Sequence, residues 1–185
     1  MNINLLDNAE AKQLQQLIIE AEHIVICAHK SPDGDALGSS LAWKSYLNQI
    51  GKTDVTVCMP DAYPDFLQWL PEANTVLRYD KNPEKVQETF NRADLVCCLD
   101  FNQYARVEAM RSTLEGCKAK RILIDHHLEP QTDNAITISQ PNMSSTSEMI
   151  FYIISQLGGY NDMTKDCAQC IYCGMMTDTG GFTYN

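Results

Sequence analysis

Apolar residues recur along this chain in two rhythms. Short runs rich in β-branched residues and cysteine predict buried strands: His23-Ile24-Val25-Ile26-Cys27-Ala28, Val55-Thr56-Val57-Cys58, Asp94-Leu95-Val96-Cys97-Cys98-Leu99 and Arg121-Ile122-Leu123-Ile124. Val76-Leu77 and Ala135 to Ile138 predict two shorter ones. Between them the spacing turns helical. Residues 8–21 set Leu14, Leu17, Ile18 and Ala21 on one side, with Asp7 or Asn8 as cap. Ala36 to Asn48 predicts a helix ending near Gly51. Further helices are expected over 64–70, with Pro64 near the first turn, over Pro83 to Asn91, and over 104–115. Ser145 and Glu148 fit a capping box opening a helix to about Leu157. A last helix runs from Thr164 to about Met176. Strands alternating with helices predict an open, mainly parallel α/β sheet flanked by helices on both faces.

Composition narrows the class. The 185 residues suffice for one domain with a sizeable core. Hydrophobic residues at 44% and charged residues at 21% are an ordinary globular balance. No apolar run is long enough to cross a bilayer, and no basic segment precedes an apolar one at Met1 to Asp7. Both observations point to a cytoplasmic protein with no membrane partner. The net charge of -10 argues against a broad grip on duplex nucleic acid. Carboxylates that hold divalent cations count as negative charge until metal binds, so a small anionic substrate remains compatible, held by metals and a few Lys or Arg. Cys27, Cys58, Cys97 and Cys98 sit in apolar runs as small hydrophobes, which fits a reduced compartment. Cys167, Cys170 and Cys173 share one helix face and read as packing, since a metal site would need a fourth ligand. Trp43 and Trp69 also read as packing residues, and His23 as structural. Asn142-Met143-Ser144 fits a glycosylation sequon that a cytoplasmic protein would not use. The chain stops soon after a polar motif with no closing helix, which predicts a fragment of a longer protein.

The chemistry gathers where strands end, the place ligands occupy in open parallel sheets. His29-Lys30-Ser31-Pro32-Asp33-Gly34-Asp35 follows the first strand, Asp100 the central one, and Asp125-His126-His127 the next. Asp178-Thr179-Gly180 follows the final helix. Hard divalent ions prefer carboxylate oxygens, and added imidazole shifts the preference towards Mn²⁺. A mixed Asp and His set can hold two ions about 3.5–4 Å apart, which activate water and clamp a phosphoryl group. Pro32 and Gly34 let the loop turn so that Asp33 and Asp35 face different ions. Each motif alone has an ordinary reading as a turn, a cap or a surface pair. Six such groups at element ends make those readings jointly improbable.

At His29-x-x-x-Asp33-x-Asp35, Asp100, Asp125-His126-His127 and Asp178 the sequence resembles the DHH phosphoesterases. That superfamily includes RecJ-type exonucleases, family II inorganic pyrophosphatases and nanoRNase/pAp phosphatases. Gly174-Met175-Met176-Thr177-Asp178-Thr179-Gly180 is similar to the nanoRNase branch. The resemblance runs from about residue 20 onward. It implies that His29 and Asp33 bind one Mn²⁺, that Asp35, His126 and Asp178 bind a second, and that Asp100 bridges both, with Mg²⁺ as an alternative ion. A hydroxide between the metals would be the nucleophile. His127 would face the substrate phosphate, and Asp125 would orient a neighbouring histidine. Ser145 and Thr146 at a helix start are candidate phosphate contacts or plain caps in equal measure. Asn102 and Arg106 could also reach substrate, though Arg106 reads equally as a solvated surface residue. The expected substrates are short oligoribonucleotides or pAp. The expected partners include no duplex nucleic acid, and a homodimer stays open. Inorganic pyrophosphatase, cyclic dinucleotide phosphodiesterase and a nucleotide-binding regulatory module without catalysis remain as alternatives. In this family a second, C-terminal domain supplies substrate-binding residues, so residues 1–185 are expected to be a DHH catalytic domain without it.

Overall fold

The computed structural model describes residues 3–183. At its centre six strands pair in parallel throughout. They are β1 (His23–Cys27), β2 (Asp54–Met59), β3 (Leu77–Arg78), β4 (Leu95–Leu99), β5 (Lys120–Asp125) and β6 (Ile136–Ser139). Their spatial order is β3-β2-β1-β4-β5-β6. The first half of the chain builds outward from β1 and the second half from β4. The order therefore reverses between β1 and β4, which is where a doubly wound sheet opens a crevice. The register pairs Ile24 with Leu95 and Cys27 with Cys98, so β4 ends one residue beyond β1.

The helices are α1 (Asn8–Glu20), α2 (Gly34–Gln49), α3 (Pro83–Arg92), α4 (Arg111–Gly116), α5 (Thr146–Gln156) and α6 (Lys165–Asp178). One face of the sheet, with Ile24, Ile26, Val57, Leu95, Cys97 and Ile124, packs against α1, α2, α5 and α6. The other face, with Val25, Cys27, Cys58, Val96, Cys98 and Leu123, packs against α3, α4 and the 3₁₀ segment Tyr104–Met110. Alternate side chains point to opposite faces. Because both faces are covered, the central strands are apolar without interruption. Trp43 is fully buried, with its indole N–H 3.4 Å from Cys97 Sγ. All eight cysteines are free and buried, Cys167, Cys170 and Cys173 among them. His23 is structural in its contacts, with Nδ1 2.8 Å from Asp54 Oδ2. No described helix is long and apolar enough to cross a membrane.

Five local expectations are corrected. The helix expected from Ala36 starts at Gly34, because Asp33 Oδ1 accepts from the N–H of Asp35 and Ala36 at 2.9 and 3.0 Å. The helix expected over 64–70 is a 3₁₀ turn, Asp65–Leu67; Pro71 disfavours a helical Leu70. Trp69, read as a packing residue, is 56% exposed. The helix over 104–115 breaks at Glu108 (φ 40, ψ -110), where the Arg106 carbonyl accepts from Lys30 N–H and the Glu108 carboxylate pairs with the Lys30 ammonium. At α5, Ser145 Oγ accepts from Glu148 N–H, but the Glu148 carboxylate reaches the N–H and hydroxyl of Ser144 instead of Ser145. Half of the capping box is thus offset by one residue.

Candidate metal centre

The ends of β1 and β4 bring the first groups together. His29 follows β1 and is buried. Its Nδ1 lies 2.8 Å from the Lys30 carbonyl, so Nδ1–H donates there and the Nε2 lone pair stays free. Asp33 spends Oδ1 on the cap of α2, leaving Oδ2 3.7 Å from His29 Nε2. Asp100 follows β4 with φ 63, a left-handed conformation that Asp tolerates better than most residues. Its N–H donates to the Ile124 carbonyl at 3.1 Å, which holds the turn against β5. Its two oxygens diverge. Oδ2 lies 3.5 Å from His29 Nε2, and Oδ1 lies 3.6 Å from His126 Nε2.

His126 leaves β5 with Nδ1 3.2 Å from the Met143 carbonyl, which again frees Nε2. Asp178, the last residue of α6, sets Oδ2 3.6 Å from that Nε2. Asp35 lies in the first turn of α2 and is buried; it accepts from the N–H of Thr146 and Ser147 at the start of α5. Two donor sets result, His29/Asp33/Asp100 and Asp35/His126/Asp178, each with its donor atoms within 4.8 Å of one another. The structure thus brings together all six residues expected as ligands. They stand on helix ends as much as strand ends: Asp33 caps α2, Asp35 sits inside it, and Asp178 closes α6.

Small residues make this convergence possible. A β-carbon on Gly34 would lie 2.2 Å from Thr177 Oγ1, and one on Gly38 would lie 2.6 Å from the Cys170 carbonyl oxygen. One on Gly174 would lie 1.9 Å from Ser147 Oγ and 2.9 Å from Asp35 Oδ1. Backbone contact between α2 and α6 carries Asp35 and Asp178 to the same point.

The electrostatics ask for cations. Burial first, then the charge of Asp100, pushes the Asp35 carboxyl well above the usual carboxylate range. Burial likewise raises Asp178, against a lowering by His126. Burial would raise Asp100 too, but the hydrogen bond and charge of His29 outweigh it and the carboxyl stays low. Reciprocally, burial would lower His29, but Asp100 outweighs it and holds the imidazole up. Crowded carboxylates with freed imidazole nitrogens are a donor set that suits divalent cations of the Mn²⁺ type.

The supporting residues divide by where their hydrogen bonds go. Asp125 is fully buried, and Oδ1 holds His127 Nδ1 at 2.7 Å while Oδ2 accepts the His127 N–H at 3.0 Å. That hydrogen bond raises the His127 pKa against the opposing pull of burial. His127 also falls within ligand reach of Asp100 and His126, yet its side chain is 36% exposed against 16% for His126. Arg106 is exposed, and its charge acts against protonation of His127. Asn102 donates Nδ2 to the Leu128 carbonyl at 2.7 Å and so ties down the loop after His127. Ser145 and Thr146, read equally as phosphate contacts or caps, have hydrogen-bond partners inside the protein. Both are fully buried; Ser145 caps α5, and Thr146 donates its hydroxyl to Asp100 Oδ1 at 2.9 Å. Ser147 and Gly38 were not singled out by sequence reasoning, while Thr146, Gly34 and Gly174 were named for other reasons than these contacts. The one available signal was the repetition of small residues, Gly34 and Gly38 on α2 and Gly174 on α6.

The chain belongs to the DHH family: the family model described as the DHH family, N-terminal domain, matches residues 23–175. It is 32% identical over 161 residues to the bifunctional oligoribonuclease and PAP phosphatase NrnA of Thermus thermophilus, covering 87% of this chain and 44% of that protein. It is 23% identical over 180 residues to the cyclic-di-AMP phosphodiesterase PdeA of Listeria monocytogenes, covering 94% of this chain and 27% of that one. The crystal structure of an exopolyphosphatase-related protein from Bacteroides fragilis superposes with a TM-score of 0.95 at 43% identity, over 98% of this chain and 53% of that one. RecJ from Thermus thermophilus in complex with Mn²⁺ shares the fold, with a TM-score of 0.54 at 16% identity over 91% of this chain and 23% of that one. The chain spans about half or less of the length of these relatives.

Proposed function

We propose that this chain carries the catalytic metal centre of a phosphoesterase that hydrolyses short oligoribonucleotides and the 3',5'-bisphosphonucleotide pAp. The observation that carries the reading is the divergence of the Asp100 oxygens, one towards each donor set. His29, Asp33 and Asp100 would hold one ion, and Asp35, His126, Asp178 and Asp100 the other. Two Mn²⁺, or Mg²⁺ in their place, supply an activated water and charge neutralisation at the phosphoryl group. The histidines contribute fixed tautomers, because backbone carbonyls occupy both Nδ1 atoms. His127, turned by Asp125, presents Nε2 outward to a phosphate oxygen and stabilises charge developing there. Arg106, exposed near His127, is a further candidate for phosphate contact.

The similarity to NrnA supports the substrate class. If substrate specificity rests on residues outside 1–185, those 185 residues tested alone should bind metal and hydrolyse poorly. The eight free thiols support a reduced, cytoplasmic setting. Dimerisation is a second open property, read directly from the mass in solution. The test is a comparison of pAp, a ribodinucleotide, cyclic di-AMP, pyrophosphate and polyphosphate as substrates of the full-length protein with Mn²⁺. Preferential release of phosphate from pAp and of mononucleotide from the dinucleotide is expected. Preference for pyrophosphate, polyphosphate or cyclic di-AMP would replace the substrate assignment. No Mn²⁺-dependent hydrolysis of any of them would favour a nucleotide-binding module.

A further inference from the structure

We infer that Thr146 is a positioning residue that locks the Asp100 carboxylate across the two donor sets, an inference that rests on the two-metal reading above. α5 begins beneath the site, and its first residue makes two contacts of different kinds. The backbone N–H of Thr146 donates to Asp35 Oδ2 at 2.7 Å, and its side-chain hydroxyl donates to Asp100 Oδ1 at 2.9 Å. Asp35 belongs to one donor set, while Asp100 faces both. One residue therefore connects the carboxylate that spans the sets to the carboxylate buried deepest behind one of them.

The hydroxyl is not needed to begin the helix. That task falls to Ser145, whose Oγ accepts from Glu148 N–H at 3.0 Å. Nor does it meet solvent, since Thr146 is fully buried. A hydroxyl carries a single proton to donate, and here it is committed to Asp100 Oδ1. The terminal torsion of an aspartate is broad, so the plane of its carboxylate must be set by its partners. A β-branched threonine has restricted χ1 freedom, so its hydroxyl stands in place before any ion arrives. Without it, the carboxylate can turn both oxygens towards one donor set and cease to connect them.

The backbone contact survives any replacement except proline, so side-chain variants isolate the hydroxyl. Mn²⁺ titration calorimetry and electron paramagnetic resonance on the 185-residue chain make the test, with Thr146→Val, Thr146→Ala and Thr146→Ser. The wild type is expected to take up two ions and show an exchange-coupled pair. In Thr146→Val the second ion should bind about tenfold or more weakly, as the loss of an outer-shell partner to metal ligands does elsewhere. Its spectrum should revert to isolated Mn²⁺, with the metal-free melting temperature little changed. Thr146→Ala should behave alike, and it carries the test if the valine variant does not fold. Thr146→Ser should retain the coupled spectrum. Two ions bound with wild-type affinity and coupling in both Val and Ala variants would overturn the inference. So would a serine variant as impaired as the valine one, which would move the cause to packing of the methyl group. A wild-type chain that binds fewer than two ions would overturn the two-metal reading itself, and the inference with it.

Discussion

Replacing Gly38 with alanine asks how closely α2 and α6 must approach. The added β-carbon would lie 2.6 Å from the Cys170 carbonyl oxygen and 3.0 and 3.2 Å from the N and Cα of Gly174. Non-bonded atoms settle at about 3.5 Å or more. All three neighbours are backbone atoms of α6, so no side-chain rotamer relieves the contact and the helix itself must retreat. Overpacking of this kind costs about 1–3 kcal/mol. Because the neighbours are backbone, the upper end applies, offset by about 1 kcal/mol from alanine's better helix propensity. The net loss is about 2 kcal/mol, which for a chain of this size lowers the melting temperature by about 4–8 °C. The same retreat separates Asp35 from Asp178, which ride on the two helices, so Mn²⁺ affinity should fall together with stability. Circular-dichroism melting without metal and calorimetric Mn²⁺ titration read the two effects. Gly116→Ala is the control, since a β-carbon there meets nothing within 4 Å; it should stay within about 0.5 kcal/mol of wild type. A Gly38→Ala chain that melts at or above the wild-type temperature and binds Mn²⁺ unchanged would refute the argument that helix approach sets the site.

Other expectations test separate parts of the structure. Asp100→Asn should abolish hydrolysis by the full-length protein with little change in the metal-free melting temperature, because Asn also tolerates φ 63; surviving activity would contradict a bridging role. Mn²⁺ at about 100 times its dissociation constant should stabilise the fold by about 2.7 kcal/mol, reversed by EDTA; a melting temperature indifferent to Mn²⁺ would count against the centre. Asp94 accepts from the N–H of His23 and Glu22, each at 2.9 Å, and these bonds hold its carboxyl below the usual range. A pKa lower in the folded state than the unfolded value of about 3.9 means stabilisation that is full above that value and lost as pH falls through the folded one. The stability deficit of Asp94→Asn should therefore be present at pH 7 and shrink at acid pH; a deficit constant with pH would remove the charge from the explanation.

What the sequence disclosed follows from the range of each cause. Central strands were legible because burial on both faces leaves a continuous apolar run, as in Leu95 to Leu99. His29, Asp100 and His126 were legible because they stand just after those runs, whereas Asp33, Asp35 and Asp178 stand at helix ends. The start of α2 was missed by two residues, since Asp33 looked like a ligand in a loop and is also a cap. Ser145 and Thr146 read equally as phosphate contacts or caps, and only the packed fold turns Thr146 inward to Asp100, 46 positions away. The break at Glu108 is likewise set by its meeting with Lys30, on a different segment. Contacts of this kind leave no periodic trace for a local reading to find.

The reversal of strand order between β1 and β4 has a bearing on assembly. His29, Asp33 and Asp35 belong to the half of the chain that grows outward from β1, and Asp100, His126 and Asp178 to the half that grows from β4. The seam between the halves joins residues far apart in sequence, Ile24 to Leu95 through Cys27 to Cys98. Such long-range pairing is slow to form because its loop must close before any contact rewards it. Neither half holds the His29/Asp33/Asp100 or the Asp35/His126/Asp178 set alone, so filling both sets would report the docking of the halves. A bound pair of ions would then act as a clasp across the seam, opposing the separation of β1 from β4 more than any local fraying.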